Sequence, residues 1–203
     1  MSERIVGGQA QTIIAVGTST GGPRALQRVL KDLPEDFPAP IVIVQHMPKG
    51  FTKSLSERLN RESYLQVKEA NHGDLLQNGH VYVAPGDFHM KLKASGTHIE
   101  IELTKEAFHM GHRPSVDKLF SSLANLSSRQ KIVVVLTGMG KDGAQGVIQI
   151  KQKDPNAVVI AESSESAIIN GMPKATIDTG LSSHELHLHD IGETLTHMVK
   201  RRG

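Results

Sequence analysis

Three side chains whose chemistry suits acyl transfer each follow a short apolar run of this sequence. Ser19 lies in GTSTGG after IIAV (13–16), His46 follows IVIV (41–44), and Asp142 lies in TGMGKDG after IVVVL (132–136). A serine between glycines on a strand-to-helix turn can present its hydroxyl as a nucleophile, and a neutral imidazole can accept the hydroxyl proton. A carboxylate that orients the imidazole completes a triad. The sequence therefore predicts Ser19, His46 and Asp142 as catalytic residues.

Each of these residues also has a structural interpretation, which the sequence leaves open. Ser19 suits a loop or a helix N-cap, His46 suits hydrogen bonds to loop carbonyls, and Asp142 suits capping of the next helix. The order serine, histidine, aspartate differs from the serine, acid, histidine order of α/β-hydrolases, which disfavours that fold. If the triad is correct, the backbone amide of Thr20, directly after the serine, is expected to help bind the oxyanion.

The loop around Asp142 also contains a G-x-G-x-x-G pattern, which is typical of dinucleotide-binding sites. Its glycines are Gly138, Gly140 and Gly143, and Glu162 follows at the end of the next predicted strand, where an acid that binds ribose belongs. Against this rival, the carboxylate of Asp142 would face a negatively charged pyrophosphate. A dinucleotide-binding oxidoreductase domain stays the alternative, and the preferred interpretation needs no cofactor.

Histidines cluster at two further places. His109 and His112 form H-x-x-H, and His184, His187 and His189 lie in HELHLHD. Neither group has the H-E-x-x-H form of a zinc site or an obvious third ligand. We therefore interpret all of them as solvated loop histidines and predict no metal site.

The predicted catalytic loops require a sheet whose strand ends meet at one edge. The apolar runs at 13–16, 41–44, 132–136 and 157–161 are typical of parallel strands buried on both faces. Segments with apolar residues spaced by three and four predict helices: PRALQRVLKDL, FTKSLSERLN, RPSVDKLFSSLANL, DGAQGVIQIKQK and the closing HDIGETLTHMVKRR. KLKA and THIEIEL, joined by Ser95-Gly96, alternate apolar and polar residues and predict an antiparallel hairpin at one edge of the sheet. The pattern is that of a doubly wound α/β fold.

Composition restricts the class of protein. The chain has 203 residues, of which 38% are apolar and 22% charged, as expected of one globular domain. A net charge of +2 gives no broad basic field, so nucleic acid is not expected as a partner. There is no cysteine, which excludes disulfides and thiolate nucleophiles. No run approaches the roughly 20 apolar residues of a membrane span, and no signal peptide is evident, so we expect a cytoplasmic protein without direct membrane insertion.

Six ordered motifs resemble those of a known family. GTSTGGPRAL, IVIVQHMP, VYVAPGD, HRPSVDKLF, VVVLTGMGKDGAQG and ESSESAIINGMPKATIDTG closely resemble the catalytic domain of the bacterial chemotaxis protein-glutamate methylesterases, over essentially residues 12 to 200. The resemblance implies a modified doubly wound fold with Ser19 as nucleophile, His46 as general base and acid, and Asp142 as its partner. It also implies that the amide of Met139 helps to bind the oxyanion.

The same resemblance implies the reaction and the partner. Members of that family hydrolyse glutamate methyl esters on the cytoplasmic helices of chemoreceptors and deamidate certain receptor glutamines. In most of them a phosphorylatable receiver domain precedes the catalytic domain, whereas only about eleven residues precede the first predicted strand here. We therefore expect residues 1–11 to be a tail or the stump of a linker and residues 12–203 to be a methylesterase catalytic domain, excised or free-standing. A receiver domain in cis or in trans is a candidate partner, and phosphorylation control does not carry over. A catalytically silent adaptor of the same fold is a further alternative.

Overall fold

A seven-stranded parallel sheet forms the centre of the molecule. The computed structural model describes residues 11–127 and 129–200, so the predicted tail lies outside them except for Gln11. In these ranges the strands are β1 (Thr12–Thr18), β2 (Ile41–Gln45), β3 (Gln66–Glu69), β4 (His80–Val83), β5 (His89–Ser95), β6 (His98–Thr104), β7 (Gln130–Val135), β8 (Val158–Glu162) and β9 (His184–Leu186). The sheet order is β3-β4-β2-β1-β7-β8-β9, and every neighbouring pair is parallel.

Helices cover both faces of this sheet. They are α1 (Gly22–Lys31), α2 (Phe51–Glu62), α3 (Val116–Ala124), α4 (Ala144–Lys153), α5 (Met172–Ile177) and α6 (Leu188–Lys200). Successive residues of β1 point to opposite faces: Ile14 and Val16 pack in one core with α1, α2 and α6, whereas Ile13 and Ala15 pack in the other with α3, α4 and α5. Burial on both faces explains why the central strands are continuous apolar runs. The predicted doubly wound sheet with helices on both faces is confirmed.

The predicted hairpin is present, but it does not extend the edge of the sheet. β5 and β6 pair antiparallel as a separate two-stranded sheet. Its apolar side chains, Met90, Leu92, Ile99 and Ile101, are buried in the same core as α3 and α4. The alternating pattern therefore indicates one buried face, as predicted. The hairpin packs this face against α3 and adds no strand to the main sheet.

The topology brings three loops together at the carboxyl edge of the sheet. β1 is central, with β2 on one side and β7 on the other. The chain winds outward through β2 first and returns to pair with β7, so the order of strands reverses next to β1. Ligand sites of open α/β sheets form at such a reversal, beyond the strand ends. The loops after β1, β2 and β7 carry Ser19, His46 and Asp142.

Among residues 11–127 and 129–200, no helix combines the length and the apolar character that crossing a membrane requires.

Candidate active site

The turn after β1 holds Ser19 between closely packed glycines. A Cβ at Gly17 would overlap the side chain of Val116, and Gly21 has a φ of +85°, which disfavours other residues. The Ser19 amide donates to the Thr137 carbonyl at 3.0 Å, and the Ser19 carbonyl accepts from the Gly22 amide at 2.9 Å. Ser19 is half-buried at this bend, at the start of α1. The glycines that the sequence pattern singled out therefore make the tight turn possible.

His46 lies beside Ser19 because β1 and β2 are parallel and in register. Thr18 is paired with Gln45, so the next residues of the two strands are neighbours. The His46 amide donates to the Thr18 carbonyl at 3.1 Å, and the Gln45 side-chain amide donates to the Ser19 carbonyl at 2.9 Å. Among the described residues, no hydrogen bond joins the Ser19 hydroxyl to the His46 ring. Such bonds are often long in free enzymes and tighten when substrate binds.

Asp142 fixes one end of the His46 ring. The Nε2 atom of His46 lies 2.8 Å from Oδ2 of Asp142, and only 7% of the His46 side chain and 1% of the Asp142 side chain are exposed. An ionised carboxylate can only accept, so Nε2 carries the proton and Nδ1 presents a lone pair. Nδ1 is buried and makes no hydrogen bond within the described residues. The ring thus offers a free proton acceptor at the end that does not bind Asp142.

The Asp142 carboxylate also accepts hydrogen bonds at the start of α3. Oδ1 accepts from the Ser115 hydroxyl and the Asp117 amide, both at 2.9 Å, and Oδ2 accepts from the Val116 amide at 2.7 Å. Burial alone would raise the pKa of Asp142, but the His46 hydrogen bond and these amides outweigh it and lower the pKa to about 2. Asp142 is therefore ionised, and it caps α3 rather than the helix that follows it in sequence.

Asp117, in the first turn of α3, makes the reciprocal contact with α4. Its Oδ1 accepts from the amides of Gly143 and Gly146 at 2.9 and 2.7 Å. The N-cap of α4 is Gly143, which has no side chain to cap with, so Asp117 supplies the acceptor. Burial, followed by the charge of Asp142, raises the pKa of Asp117 despite these hydrogen bonds. The two carboxylates thus cap each other's helices and hold the Asp142 loop against α3.

The expectation of solvated histidines is wrong for His109 and His112. These residues pair through two backbone hydrogen bonds, of 3.0 and 2.9 Å, around a tight turn of Met110 and Gly111, which both have positive φ. His109 Nε2 lies 3.1 Å from Asp117 Oδ2, and the His112 ring stacks on His46. Contacts between residues distant in sequence, which the H-x-x-H spacing does not show, bring the pair into the site.

The histidines of HELHLHD agree better with the interpretation as solvated loop residues. His184 and His189 are exposed, and His187 is half-buried. The rings of His187 and His189 meet edge to face, with centroids 4.9 Å apart.

The amides of Thr20 and Met139 are the sequence-based candidates for binding an oxyanion. Neither amide donates a hydrogen bond to another described residue, and Thr20 and Met139 are both exposed. Met139 follows Gly138, and a Cβ at Gly138 would lie 2.9 Å from the Ser19 Cβ. One unused amide donor thus lies in the Ser19 turn and one in the loop that approaches it, and their role as an oxyanion hole stays a prediction.

The structure does not favour a dinucleotide at the G-x-G-x-x-G loop. Glu162 is fully buried and accepts from the Thr137 amide at 2.7 Å and the Ser166 hydroxyl at 2.9 Å, so it is not free to bind a ribose. Asp142 occupies the same loop as a buried anion. The glycines serve packing instead: a Cβ at Gly146 would approach the Phe120 Cβ within 2.5 Å, and Gly143 approaches Val116.

One trio in the described residues has ligand atoms close enough for a metal ion. His109, Asp117 and Asp142 offer atoms within 4.8 Å of one another. Both oxygens of Asp142 already accept protein hydrogen bonds, and the Asp117 oxygens accept from two amides and His109. These donors satisfy the carboxylates without a cation, so we assign no metal to them.

A groove of about 300 Å³ opens beside His46. It is lined by His46, Met47, Pro48, Phe108, Gly111, His112, Arg113 and Pro114. Arg113 stacks on the Phe108 ring at 4.3 Å and pairs with Asp87, which ties this wall to the loop after β4. The groove lies between the loop after β2 and the segment that precedes α3.

Sequence reasoning missed the residues that support the predicted triad. Asp117, Ser115 and Gln45 bind Asp142 or the Ser19 turn, and His112 covers His46. The only signal for them was their presence in HRPSVDKLF and IVIVQHMP, two of the motifs that carry the family resemblance.

Comparison with known proteins connects this geometry to a family. A family model described as CheB methylesterase matches residues 14–195. A protein-glutamate methylesterase/protein-glutamine glutaminase of Oceanobacillus iheyensis is 52% identical over 181 residues, which cover 89% of this chain and 51% of the relative. A protein of the same name from Bacillus subtilis is 44% identical over 194 residues, which cover 96% of this chain and 54% of the relative.

The fold matches a solved structure of the same kind. The crystal structure of the Thermotoga maritima CheB methylesterase catalytic domain superposes with a TM-score of 0.90 at 44% identity, covering 93% of this chain and 99% of that one. The chain therefore matches a catalytic domain along nearly its whole length, and it spans about half the length of the curated relatives.

Proposed function

The chain belongs to the CheB methylesterase family, and on that premise we propose that it is a serine hydrolase that removes methyl esters from glutamate side chains of chemoreceptors. The observation that carries the proposal is the buried His46–Asp142 pair beside the Ser19 turn. Deamidation of receptor glutamines belongs to the same proposal, because attack on an amide carbonyl requires the same groups.

The proposed reaction proceeds through an acyl-enzyme. Nδ1 of His46 accepts the Ser19 proton while the serine oxygen attacks the ester carbon, and Asp142 stabilises the imidazolium at Nε2. The amides of Met139 and Thr20 donate to the oxyanion. The imidazolium returns its proton to the methoxide, so methanol leaves, and ammonia leaves in the same way from a glutamine. A water, deprotonated by His46, then releases the glutamate carboxylate and restores Ser19.

The surroundings of Ser19 suit a protein substrate. Phe108, Met139 and Ile168 are 60%, 66% and 57% exposed, unusual values for large apolar side chains. Ile168 packs against the Gly21 turn, Met139 follows the Gly138 contact with Ser19, and Phe108 lines the groove at His46. We propose that these residues, the apolar rim, contact the receptor helix that carries the ester.

The proposal takes residues 12–203 as one catalytic domain. Its substrate, the cytoplasmic helices of chemoreceptors, implies a cytoplasmic site of action. A receiver domain, in the same chain or a separate one, is proposed as a further partner. Adding an isolated receiver domain to the protein and measuring methanol release tests that part independently.

The decisive test is release of methanol from receptor membranes whose glutamates carry labelled methyl groups. We expect the protein to release methanol, and Ser19→Ala to abolish release with little change in thermal unfolding, because a single hydroxyl on a half-buried turn contributes little to packing. Ser54→Ala, an exposed serine on α2, is the matched control and should behave as the unchanged protein. Full activity of Ser19→Ala would remove Ser19 from the mechanism, and a folded protein that binds receptor without turnover would be an adaptor.

The dinucleotide alternative has its own measurement. We expect no saturable heat of binding with millimolar NAD or NADP, because Asp142 and Glu162 are buried carboxyl groups held by protein donors. A dissociation constant near 1 µM would instead support an oxidoreductase domain.

A further inference from the structure

The ring of His112 lies flat against the ring of His46. Their centroids are 3.8 Å apart, and the two planes differ by 5°. His112 is not a neighbour of His46 in the sheet: it belongs to the short hairpin His109–His112, which precedes α3. A stack this close and this parallel fixes the plane of one ring by the plane of the other.

The hydrogen bond to Asp142 alone leaves the orientation of His46 incompletely fixed. That bond holds a single ring atom, Nε2, and permits the ring to turn about the line between the two residues. The proposed reaction requires Nδ1 to face Ser19, and such a turn would move Nδ1 without breaking the bond to Asp142. Stacking of His112 on one face of the His46 ring opposes this motion, because the ring could turn only if the stack were lost.

The hairpin that carries His112 is itself firmly attached. His109, its other end, binds Asp117 at 3.1 Å, and Asp117 in turn holds the start of α4. On the far side, Arg113 pairs with Asp87 and its guanidinium covers Phe108. The position of His112 is therefore determined by α3, by α4 and by the loop after β4.

The charge state of His112 suits contact with a ring that gains a proton. Burial, and then the neighbouring His46, lower the pKa of His112, with Asp142 opposing and His109 adding to the shift. The charged and titratable groups around it are thus His46, Asp142 and His109, with Arg113 next in sequence. A neutral ring face over an imidazolium is attractive, whereas a second positive charge would be repulsive.

We propose that His112 is a positioning residue for the proposed hydrolysis: it holds the His46 ring in the plane from which Nδ1 accepts the Ser19 proton, and its neutral face stabilises the imidazolium that forms. This inference rests on the proposed function, because it presumes that Ser19 is the nucleophile.

The test compares His112→Leu, which fills the volume without a flat ring, with His112→Phe, which restores the ring without a titratable group. The probe is phenylmethanesulfonyl fluoride, whose reaction with a serine requires the same base but no receptor. Its limiting rate and its half-saturating concentration are measured separately, and peptide mass analysis locates the sulfonyl group. His98→Leu, an exposed histidine on β6, is the matched control.

For His112→Leu we expect the limiting rate to fall by about ten-fold or more, because a small misplacement of a reacting group has a large effect on rate. The half-saturating concentration should change by less than about two-fold, since the reagent's binding does not depend on proton transfer. His112→Phe should recover the rate to within about three-fold of the unchanged protein. The kcat for methanol release should follow the same order, with KM nearly constant.

Three results would overturn the inference. An unchanged limiting rate in folded His112→Leu would show that the stack does not position His46. A rate for His112→Phe as low as that for His112→Leu, at equal thermal stability, would show that the flat ring is not what matters. Failure of the unchanged protein both to be labelled at Ser19 and to release methanol from receptor membranes would overturn the proposed function and this inference together, whereas the first two results leave the proposed function intact.

Discussion

At the scale of the residue, Asp142 combines a proposed catalytic role and a structural role in one carboxylate. It accepts from His46, from the Ser115 hydroxyl and from two amides at the start of α3, and almost none of its surface is exposed. A residue that served only to orient His46 would need only the hydrogen bond to the His46 ring. Substitution at this position must therefore affect the free energy of unfolding as well as the rate.

We expect Asp142→Ala to lower the free energy of unfolding by about 3 kcal/mol, because it leaves several buried donors without an acceptor. Asp142→Asn should lose less, since an oxygen in the place of Oδ1 still accepts from Ser115 and Asp117. Its amide nitrogen would instead donate to Nε2 of His46, move the ring proton to Nδ1 and block the base. Denaturant unfolding and methanol release on the same samples measure both effects.

Stability and methanol release should not change in parallel in these variants. Asp142→Asn is expected to be more stable than Asp142→Ala yet no more active. Folded Asp142→Ala should keep roughly ten- to a hundred-fold more activity than Ser19→Ala, because the nucleophile and the base remain. If Asp142→Asn proved fully active, the assignment of the proton to Nε2 would be wrong.

The sequence was most informative for residues whose role depends on position along a strand. The positions of Ser19 and His46 at one edge of the sheet could be predicted because an apolar run marks where each strand ends, and parallel strands end at one edge. His112 and Asp117 could not, because their contacts depend on how the segment before α3 folds over the sheet. Asp142 was predicted as a site residue, but the helix that it caps was not.

At the scale of the element, the turn after β7 is built around a close approach to the turn after β1. A Cβ at Gly138 would overlap the Met172 sulfur and lie 2.9 Å from the Ser19 Cβ and 3.0 Å from the Ser19 amide nitrogen. Gly140, two residues later, has a φ of +90° but open space around the site of a Cβ. Packing therefore constrains Gly138, whereas backbone conformation constrains Gly140.

Gly138→Ala should therefore lower kcat for methanol release by about ten-fold or more, since the added methyl group displaces Ser19 or the Met139 amide. Gly140→Ala is the matched control: its backbone strain should lower stability by about 1 kcal/mol with a smaller effect on kcat. Steady-state kinetics and thermal unfolding of both variants provide the comparison. Equal loss of kcat in the two would indicate that loop conformation, and not contact with Ser19, governs the effect.

Elements buried on both faces were predictable, and elements at the margins were not. The four apolar runs correspond to β1, β2, β7 and β8, whereas QVKE and HEL, at β3 and β9, are short polar edge strands without a hydrophobic pattern. The hairpin was predicted from its alternation, but alternation identifies a buried face and not the element that buries it. Its place against α3 depends on tertiary packing.

At the scale of the whole molecule, the low pKa of Asp142 makes the free energy of unfolding depend on pH in the acid range. A carboxyl group whose pKa is lower in the folded chain stabilises the fold above its unfolded pKa, and this contribution is lost as pH falls through the folded pKa. With a folded pKa of about 2, the window lies between about pH 4 and pH 2. The pKa of Asp117 is raised, so protonation of that group contributes with the opposite sign and does not weaken the fold.

We expect the free energy of unfolding to fall by about 2 kcal/mol more between pH 4 and pH 2 in the unchanged protein than in Asp142→Asn. Denaturant titrations at several pH values in this range measure the difference. Parallel curves for the two proteins would mean that Asp142 is not the group whose protonation weakens the fold.

The apolar rim predicts a difference between large and small substrates. Phe108→Ser and Ile168→Ser should raise KM for receptor membranes several-fold, because exposed apolar side chains contribute to association only when a partner covers them. Hydrolysis of a small activated ester should change little. Tyr64→Ser removes an equally exposed aromatic residue beside β3, away from the site, and should leave both KM values unchanged.

The pairing of β1 with β7 has a consequence for biosynthesis. Thr18 donates its hydroxyl hydrogen to the Thr137 carbonyl at 2.7 Å, across 119 residues of sequence. A nascent chain that has left the ribosome only as far as β6 carries Ser19 and His46 but neither the acid nor the Met139 loop. Such a long-range pairing forms late, because the intervening chain must first be closed into a loop. The proposed esterase activity can therefore begin only once synthesis has passed β7. Until then an incomplete chain carries the proposed nucleophile without Asp142 and the Met139 amide.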